Sequence, residues 1–396
     1  MLAVLPLLIE SGWRIKIAFP NLPSAGDHKT LADRIRNLDV RGISLTTHHA
    51  DGVRKSQSQY RADFADVLRS HQPDLVLCNS LSTSRLCGPV TAEVGIASVG
   101  YLRDIIKLSK KAVEDVNQLD RIVAVSQATK DHHAGQGMTE SKITVIHNGV
   151  DLELFRPQKN SLSRLGVSPG CSPLPTVANA KTADTVRNLI SEDVRSKIKS
   201  ELGIPASSPA LLFVGQIGMR KGVDVLLDVF EKVVTEIPDC HLLIVGSRHS
   251  TKQEAVEYEA DLIRRSQSDA CSGKVHWLHR RDDMPAIYAG ADLLLHPARQ
   301  EPLGRVILES VASGLPVLTT LVGGSPEILG CNESFDLLCP VDDAQAMAER
   351  AVTIMRNVDL RQAIAVELRE TALRRFNRHR CHAELNFLLE NMLRRI

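Results

Sequence analysis

The sequence predicts an α/β protein made of two doubly wound, parallel-sheet domains. Three observations lead there. Short apolar runs of strand length alternate with longer segments of helical period along most of the chain. Two of the runs, Leu211–Gly215 and His241–Gly246, end in glycine, where a strand would hand over to a helix. At 396 residues the chain is long enough for two domains of ordinary size.

In the first half the strand-like runs are Ile15–Ala18, Asp74–Leu77, Ile122–Val125 and Ile143–Ile146, with helical segments between them. Residues 158–208 then change character. Ser161–Thr176 is rich in Ser, Pro and Gly without a sustained period, which reads as a linker with an insertion. The second half alternates more cleanly. Leu211–Gly215 is a strand ending in glycine. Gly222–Ile237 is an amphipathic helix with Val223, Leu226, Leu227, Phe230, Val233 and Val234 on one stripe. His241–Gly246 is another strand, and further strands lie near Val275, Leu293, Val317 and Leu337. Ala383–Ile396 is a closing amphipathic helix. The expected boundaries are 1–157, 158–208, 209–378 and 379–396.

Composition narrows the function. A net charge of +1 and 4% aromatics offer neither a basic patch nor a stacking platform, so nucleic acid is excluded as the expected partner. The eight cysteines form no C-x-x-C pair and several sit in apolar runs, as reduced, buried thiols of a cytoplasmic protein do. The pairs His48-His49 and His132-His133 lack a Cys or carboxylate cluster at ligand spacing, so no metal is expected. The apolar start Met1–Ile9 lacks a basic leader and a small-residue cleavage site. No run has the length of a membrane span, which leaves only a peripheral membrane contact open.

The most informative stretch is Glu301-Pro-Leu-Gly-Arg-Val-Ile-Leu-Glu309. It lies between the apolar runs Ala291–His296 and Leu315–Thr320, in a strand–loop–helix–strand order. Glu301 is thereby expected at the carboxyl end of a strand, where open α/β sheets bind ligands. Pro302 suits the first turn of a helix, and Glu309 then falls a little over two turns from Glu301, near the same face. A helix N-terminus favours phosphate, and a carboxylate on either side accepts hydroxyls. That combination suits a nucleotide sugar.

Other loops add to it. Gln216-Ile-Gly-Met-Arg220-Lys221-Gly222 follows the strand ending at Gly215; its two cations can neutralise a diphosphate. It lacks the G-x-G-x-x-G pattern, which disfavours a dinucleotide oxidoreductase. Gly323-Gly-Ser-Pro-Glu327 fits a backbone nest opening a helix. Asn148-Gly-Val-Asp151 reads as an ordinary turn. His279-Arg280 is placed to edge a base pocket. Each loop alone also reads as a surface turn.

In this order the loops resemble the retaining GT-B glycosyltransferases of family four (group 1). The resemblance rests on Ile146–Pro157, Phe213–Gln216 with Arg220–Gly222, Ala291–Pro297, Glu301/Glu309 and Gly323–Glu327. Pro73–Val76 and Asp120–Ser126 match more loosely. It implies a GT-B fold, two Rossmann-like domains facing a cleft, with the final helix crossing back to the first domain. It also implies a hexosyl transfer with retention, from a nucleotide-sugar donor to a sugar, glycan or lipid-linked acceptor, without cofactor or metal. Glu301 would bind the donor sugar, Glu309 the ribose and Lys221 the diphosphate. The backbone of Leu303 and Gly304 would face the donor. The family often has Arg where Gln216 stands, and Arg220 would supply that charge.

Two departures accompany the match. The family opens with a strand and a Gly-rich loop, whereas this sequence begins at what reads as the following helix. An inner strand lacking from a parallel sheet leaves buried backbone groups unpaired, at about 1–3 kcal/mol each. The expectation is therefore an upstream start or an inactive relative. The family also often carries a His after the strand near Ser98, where this chain reads Tyr101-Leu-Arg103-Asp104, so Arg103 and Asp104 are the acceptor-side candidates. Two alternatives to the transferase stay open: a nucleotide-sugar-binding relative without turnover, and a GT-B sugar-nucleotide epimerase.

Overall fold

The computed structural model describes residues 4–21, 40–49, 51–157, 192–330 and 335–394. The chain forms two compact units, Met1–His147 with His379–Ile396, and Asn148–Arg378.

The first unit runs α1 (Leu5–Glu10), β1 (Lys16–Asn21), β2 (Arg41–Thr46), α2 (Gln57–His71), β3 (Leu75–Cys78), α3 (Leu81–Val94), β4 (Ala97–Leu102), α4 (Lys110–Asn117), β5 (Arg121–Ala124), α5 (Gln127–Ala134) and β6 (Ile143–Val145). Strands β1 and β2 pair in parallel, and β3-β4-β5-β6 form a second parallel sheet. The sequence sets each helix start in the same way. Ser56, Ser80, Ser109 and Ser126 are the N-caps of α2 to α5, each accepting from the backbone N–H three residues on. Such a cap contributes about 1 kcal/mol and fixes where strand gives way to helix. Val116, Leu119, Ile122 and Leu102 are fully buried between sheet and helices.

The second unit runs α6 (Glu192–Glu201), β7 (Ala210–Val214), α7 (Val223–Glu236), β8 (His241–Val245), α8 (Gln253–Arg265), β9 (Val275–His279), α9 (Met284–Gly290), β10 (Leu293–His296), α10 (Arg305–Ala312), β11 (Val317–Thr320), α11 (Ser325–Leu329), β12 (Leu338–Cys339), α12 (Ala344–Arg356) and α13 (Val358–Arg375). Its strands form one parallel sheet in the order β12-β11-β10-β7-β8-β9. Leu211 to Phe213, Leu242 to Ile244 and Leu293 to Leu295 are fully buried, as strands covered on both faces must be. That is why they read as unbroken apolar runs. The last helix, α14 (Arg378–Leu393), belongs to the first unit from His379 on. There Trp13 Nε1 donates to Asn386 Oδ1 at 2.6 Å.

Three expectations need correction. Strand β2 was not anticipated: Arg41-Gly-Ile-Ser-Leu-Thr46 buries Leu45 alone and carries too little apolar signal. Helix α6 lies inside the stretch read as linker. Its sequence is mostly charged, and it is held by buried Ile198 against Ala289 and by Arg195 and Lys199, which reach Asp292. Residues 158–191 of that stretch lie outside the described residues. The Asn148–Asp151 turn does more than reverse the chain. Val150 bridges to Asn377, Arg378 pairs with Asp151, and a Cβ on Gly149 would lie 2.4 Å from Arg378 Cα.

Among the described residues no helix is long and apolar enough to cross a membrane. The six described cysteines are free and buried; Cys171 and Cys331 lie outside the described residues.

Candidate functional site

Strand β7 sits beside β10 in the sheet. After β7 the chain moves outward to β8 and β9; after β10 it moves the other way, to β11 and β12. The loops leaving the carboxyl ends of β7 and β10 therefore diverge and open a crevice, the place where open α/β sheets take ligands. The β7 loop carries Gly215 to Gly222, and the β10 loop carries Pro297 to Gly304.

Glycine lets these loops touch. Gly222, at φ 66°, caps the single 3₁₀ turn Met219–Lys221, and a Cβ there would lie 2.0 Å from Pro297 O. Arg299 fastens the same two loops. Its guanidinium forks onto Asp224 at 2.9 and 2.7 Å, reaches Met219 O at 2.8 Å and binds Asp342 at 2.7 Å. Tyr258 also donates to Asp224, at 2.7 Å. Burial pushes the Asp224 carboxyl up, but Arg299 and Tyr258 outweigh it and hold it below its ordinary value.

At the centre Lys221 Nζ lies 2.5 Å from Glu301 Oε2, and His296 Nε2 lies 2.7 Å from the same oxygen. His296 ends β10, is fully buried and stacks beside Phe213 of β7. Burial pushes the Glu301 carboxyl up, yet the His296 hydrogen bond and the Lys221 charge bring it down to about 2. Burial also holds His296 below its ordinary value, against the pull of Glu301. At neutral pH the pair is thus a carboxylate accepting from a neutral imidazole, with an ammonium beside it. Glu301 acts there as a fixed acceptor rather than a proton donor.

Glu309 is held separately. Tyr288 donates to Oε2 at 3.0 Å and Arg305 to Oε1 at 2.8 Å. Glu309 is buried within α10, whereas Arg305 is exposed. The helix geometry differs from the expectation. Pro302 is not in α10, which begins at Arg305 after Gly304 at φ 105°. Glu301 sits in the preceding turn, so the two carboxylates do not share a helix face. The reason is Gly304, whose positive φ ends the turn and where a Cβ would meet Ile307 Cδ1 at 2.7 Å. Leu303 and Gly304 are buried in this turn. The Gly323-Gly324 loop closes on it, with Gly324 N–H donating to Glu301 O at 2.9 Å.

The two loops therefore bring together Gly215, Lys221 and Glu301, with Leu303 and Gly304 buried in the turn that follows, while Glu309 is held on α10 by its own partners. Gly215 packs against Lys221 Cγ at 3.8 Å, measured from the Cβ it lacks. Gln216 is half-buried beside it, and the Arg220 guanidinium is exposed without a described partner. His279 and Arg280 are not drawn in by their side chains. Both are exposed, His279 as the last residue of edge strand β9 and Arg280 just after it, and Arg280 lies 3.9 Å from Asp282. His279 connects through its backbone, accepting from Gly246 N–H at 2.8 Å. Arg103 and Asp104 belong to the other unit. Arg103 stacks on Tyr101 at 4.5 Å, and His133 Nε2 donates to Asp104 O at 2.8 Å. Among the described residues no group of three or more His, Cys, Asp or Glu is placed to hold a metal ion.

Sequence reasoning missed His296, Arg299, Asp224 and Tyr288. The first two stood in plain view: a His closing an apolar strand and an Arg in the loop before Glu301 are charges in a short apolar context. Tyr288 and Asp224 had no local signal, because their partners are distant in sequence.

The family pattern for group 1 glycosyl transferases matches residues 194–371, and that for glycosyltransferase family 4 matches residues 4–154. Each half of the chain thus matches a glycosyltransferase pattern, and the two together support a group 1 glycosyltransferase of GT-B fold. Among relatives of this glycosyltransferase, the N-acetyl-alpha-D-glucosaminyl L-malate synthase of Bacillus anthracis is 26% identical over 271 residues, covering 64% of this chain and 68% of the relative. The lipopolysaccharide glucosyltransferase WaaG of Escherichia coli K12 is 36% identical over 131 residues, 33% of each protein. The aligned parts thus span from 33% to 68% of these relatives' lengths. Anabaena HepE, solved with UDP, has the same fold, with a TM-score of 0.76 at 21% identity over 98% of this chain and 96% of its own.

Proposed function

We propose that this glycosyltransferase moves a sugar from a nucleotide-sugar donor to a sugar, glycan or lipid-linked acceptor, with retention at the anomeric carbon. The observation that carries this is the meeting of Lys221 and Glu301 at the strand-order reversal. One cation and one ionised acceptor, 2.5 Å apart, emerge from the two loops that form the crevice. A donor brings a diphosphate that can draw Lys221 and hydroxyls for the Glu301 oxygen that accepts from no described group.

In this reading Lys221 takes the diphosphate, and Arg220, exposed at the rim, adds charge as the leaving group develops it. These cations take the part a metal ion plays elsewhere. Glu309, aimed by Tyr288 and Arg305, accepts from the ribose. Glu301, ionised down to about pH 2, accepts from the sugar hydroxyls and does not shuttle protons. No side chain is assigned as nucleophile, and departure and attack occur on one face of the sugar. Arg103 and Asp104 remain the acceptor-side candidates of the first unit. HepE has been solved with UDP and with UDP-glucose, and this supports UDP-sugars as the first donors to try.

The test is release of nucleoside diphosphate from UDP-glucose, UDP-N-acetylglucosamine, GDP-mannose and ADP-glucose, with and without candidate acceptors. Acceptor-dependent release with retained anomeric configuration is expected. Donor binding without release under any acceptor contradicts the transferase reading.

A further inference from the structure

His296 lies outside the residues given a role in the reaction, and three observations assign it one. First, its fully buried Nε2 lies 2.7 Å from Glu301 Oε2. Second, its Nδ1 is buried and meets no described group. An imidazolium would bury a second N–H with nothing to accept it, so the geometry selects the neutral ring that donates from Nε2. Third, Lys221 Nζ shares the same oxygen at 2.5 Å, while Glu301 Oε1 accepts from no described group.

Two donors on one oxygen are more than a carboxylate needs for orientation. They differ in what happens when a donor substrate arrives. Lys221 has a flexible stem and a full charge, and a diphosphate competes for it with two negative charges. His296 is anchored by the backbone end of β10, packed against Phe213, and neutral. It has no reason to follow.

We propose that His296 is a positioning residue: it keeps Glu301 Oε2 occupied when Lys221 moves to the diphosphate, so that Oε1 faces the transferred sugar. The inference rests on the donor-site reading above and deepens it. Without His296 the Glu301 carboxylate loses its remaining donor at the moment the substrate binds. It then turns away from the sugar, and the defect falls on the sugar portion of the donor and not on the nucleotide.

The experiment compares wild type, His296→Leu and His296→Gln with the donor from the panel that wild type turns over. Calorimetry reads the affinity for its nucleoside diphosphate, and steady-state kinetics read kcat/KM for the whole donor. In His296→Leu nucleoside diphosphate affinity should stay within about twofold, while kcat/KM falls at least about tenfold. In His296→Gln, whose amide N–H can occupy the place of Nε2–H, most of the loss should be restored. Equal loss of both readouts, no loss, or a Gln variant as poor as Leu overturns the inference. Should His296→Leu fail to fold, His296→Gln against His296→Asn decides: the shorter amide of Asn should lose kcat/KM and Gln keep it, and equal values refute the positioning role. Failure of the donor-site reading shows earlier and separately, as a wild type that turns over no donor, and the inference falls with it.

Discussion

Strand β10 carries a buried carboxylate at each end, and the two are held in different ways. Asp292 immediately precedes the strand. Its Oδ1 accepts from Arg195, and its Oδ2 accepts from Lys199 at 2.8 Å and from the Ala210 backbone N–H at 2.9 Å. Lys199 also donates to Ser208 O at 2.7 Å. Burial pushes the Asp292 carboxyl up, and Arg195 and Lys199 hold it below its ordinary value. Glu301, just past the other end, places both of its described donors on one oxygen and leaves the second oxygen to something else. One neighbour, His296, even keeps a buried nitrogen without a partner among the described residues.

The contrast separates structure from function by how fully polar groups are satisfied. Asp292, with both oxygens taken at the closed end of the strand, ties α6, β7 and β10 together. Glu301 keeps one oxygen open beside its two described donors, the state in which a substrate can complete it. The positions in the sheet agree. Asp292 lies at the amino ends of the strands, and Glu301 at the carboxyl ends, where the strand order reverses.

The comparison can be broken most strongly at the closed end. Asp292→Ala leaves Arg195 and Lys199 as uncompensated cations, and should destabilise the second unit by about 3–5 kcal/mol. Urea unfolding measures this, and turnover per folded molecule should stay near wild type. A loss below about 1 kcal/mol would show that water, not Asp292, serves these cations. At the open end, Lys221→Ala should lower kcat/KM by about 10²–10³-fold, the scale of losing one preorganised contact to a leaving group. Its stability loss should be smaller than that of Asp292→Ala, because His296 still serves Glu301.

A third prediction uses pH. The Glu301 carboxyl is brought down from an ordinary 4.5 to about 2, so its contribution is fully present above about pH 4.5. It is lost as pH falls through about 2. The stability difference between wild type and Glu301→Gln should therefore shrink steadily across that window in urea titrations. A difference that stays constant with pH would mean that Glu301 is not ionised in the folded protein. The smallest effect is expected at Tyr288→Phe. It removes one of the two described donors of Glu309 and should weaken nucleoside diphosphate binding by about 1 kcal/mol, read by calorimetry. Unchanged binding would remove Glu309 from the nucleotide site.

How much of this was legible depends on range along the chain. The second unit's sheet could be read because strands such as Leu211–Val214 and Leu293–Leu295 are buried on both faces and leave continuous apolar runs. Lys221 and Glu301 could be read because glycines and a proline punctuate their loops. Strand β2 escaped because it buries Leu45 alone, and α6 because its contribution is ionic. Tyr288 and Asp224 escaped for another reason. Their partners, Glu309 and Arg299, come beside them only once the sheet is assembled, and no local pattern encodes that. The start of α10 was misjudged because Pro302 suggested a helix, whereas Gly304 delays it by three residues, to Arg305.

The most direct test of the contrast is a paired measurement on Glu301→Gln and Asp292→Asn, reading thermal stability and nucleoside diphosphate release from the donor that wild type uses. The account predicts a crossed result in release per folded molecule: Glu301→Gln loses most release even where it is fully folded, while Asp292→Asn melts well below wild type and keeps its release when folded. Full release by Glu301→Gln would contradict the account, because the open carboxylate would then have no part in the reaction.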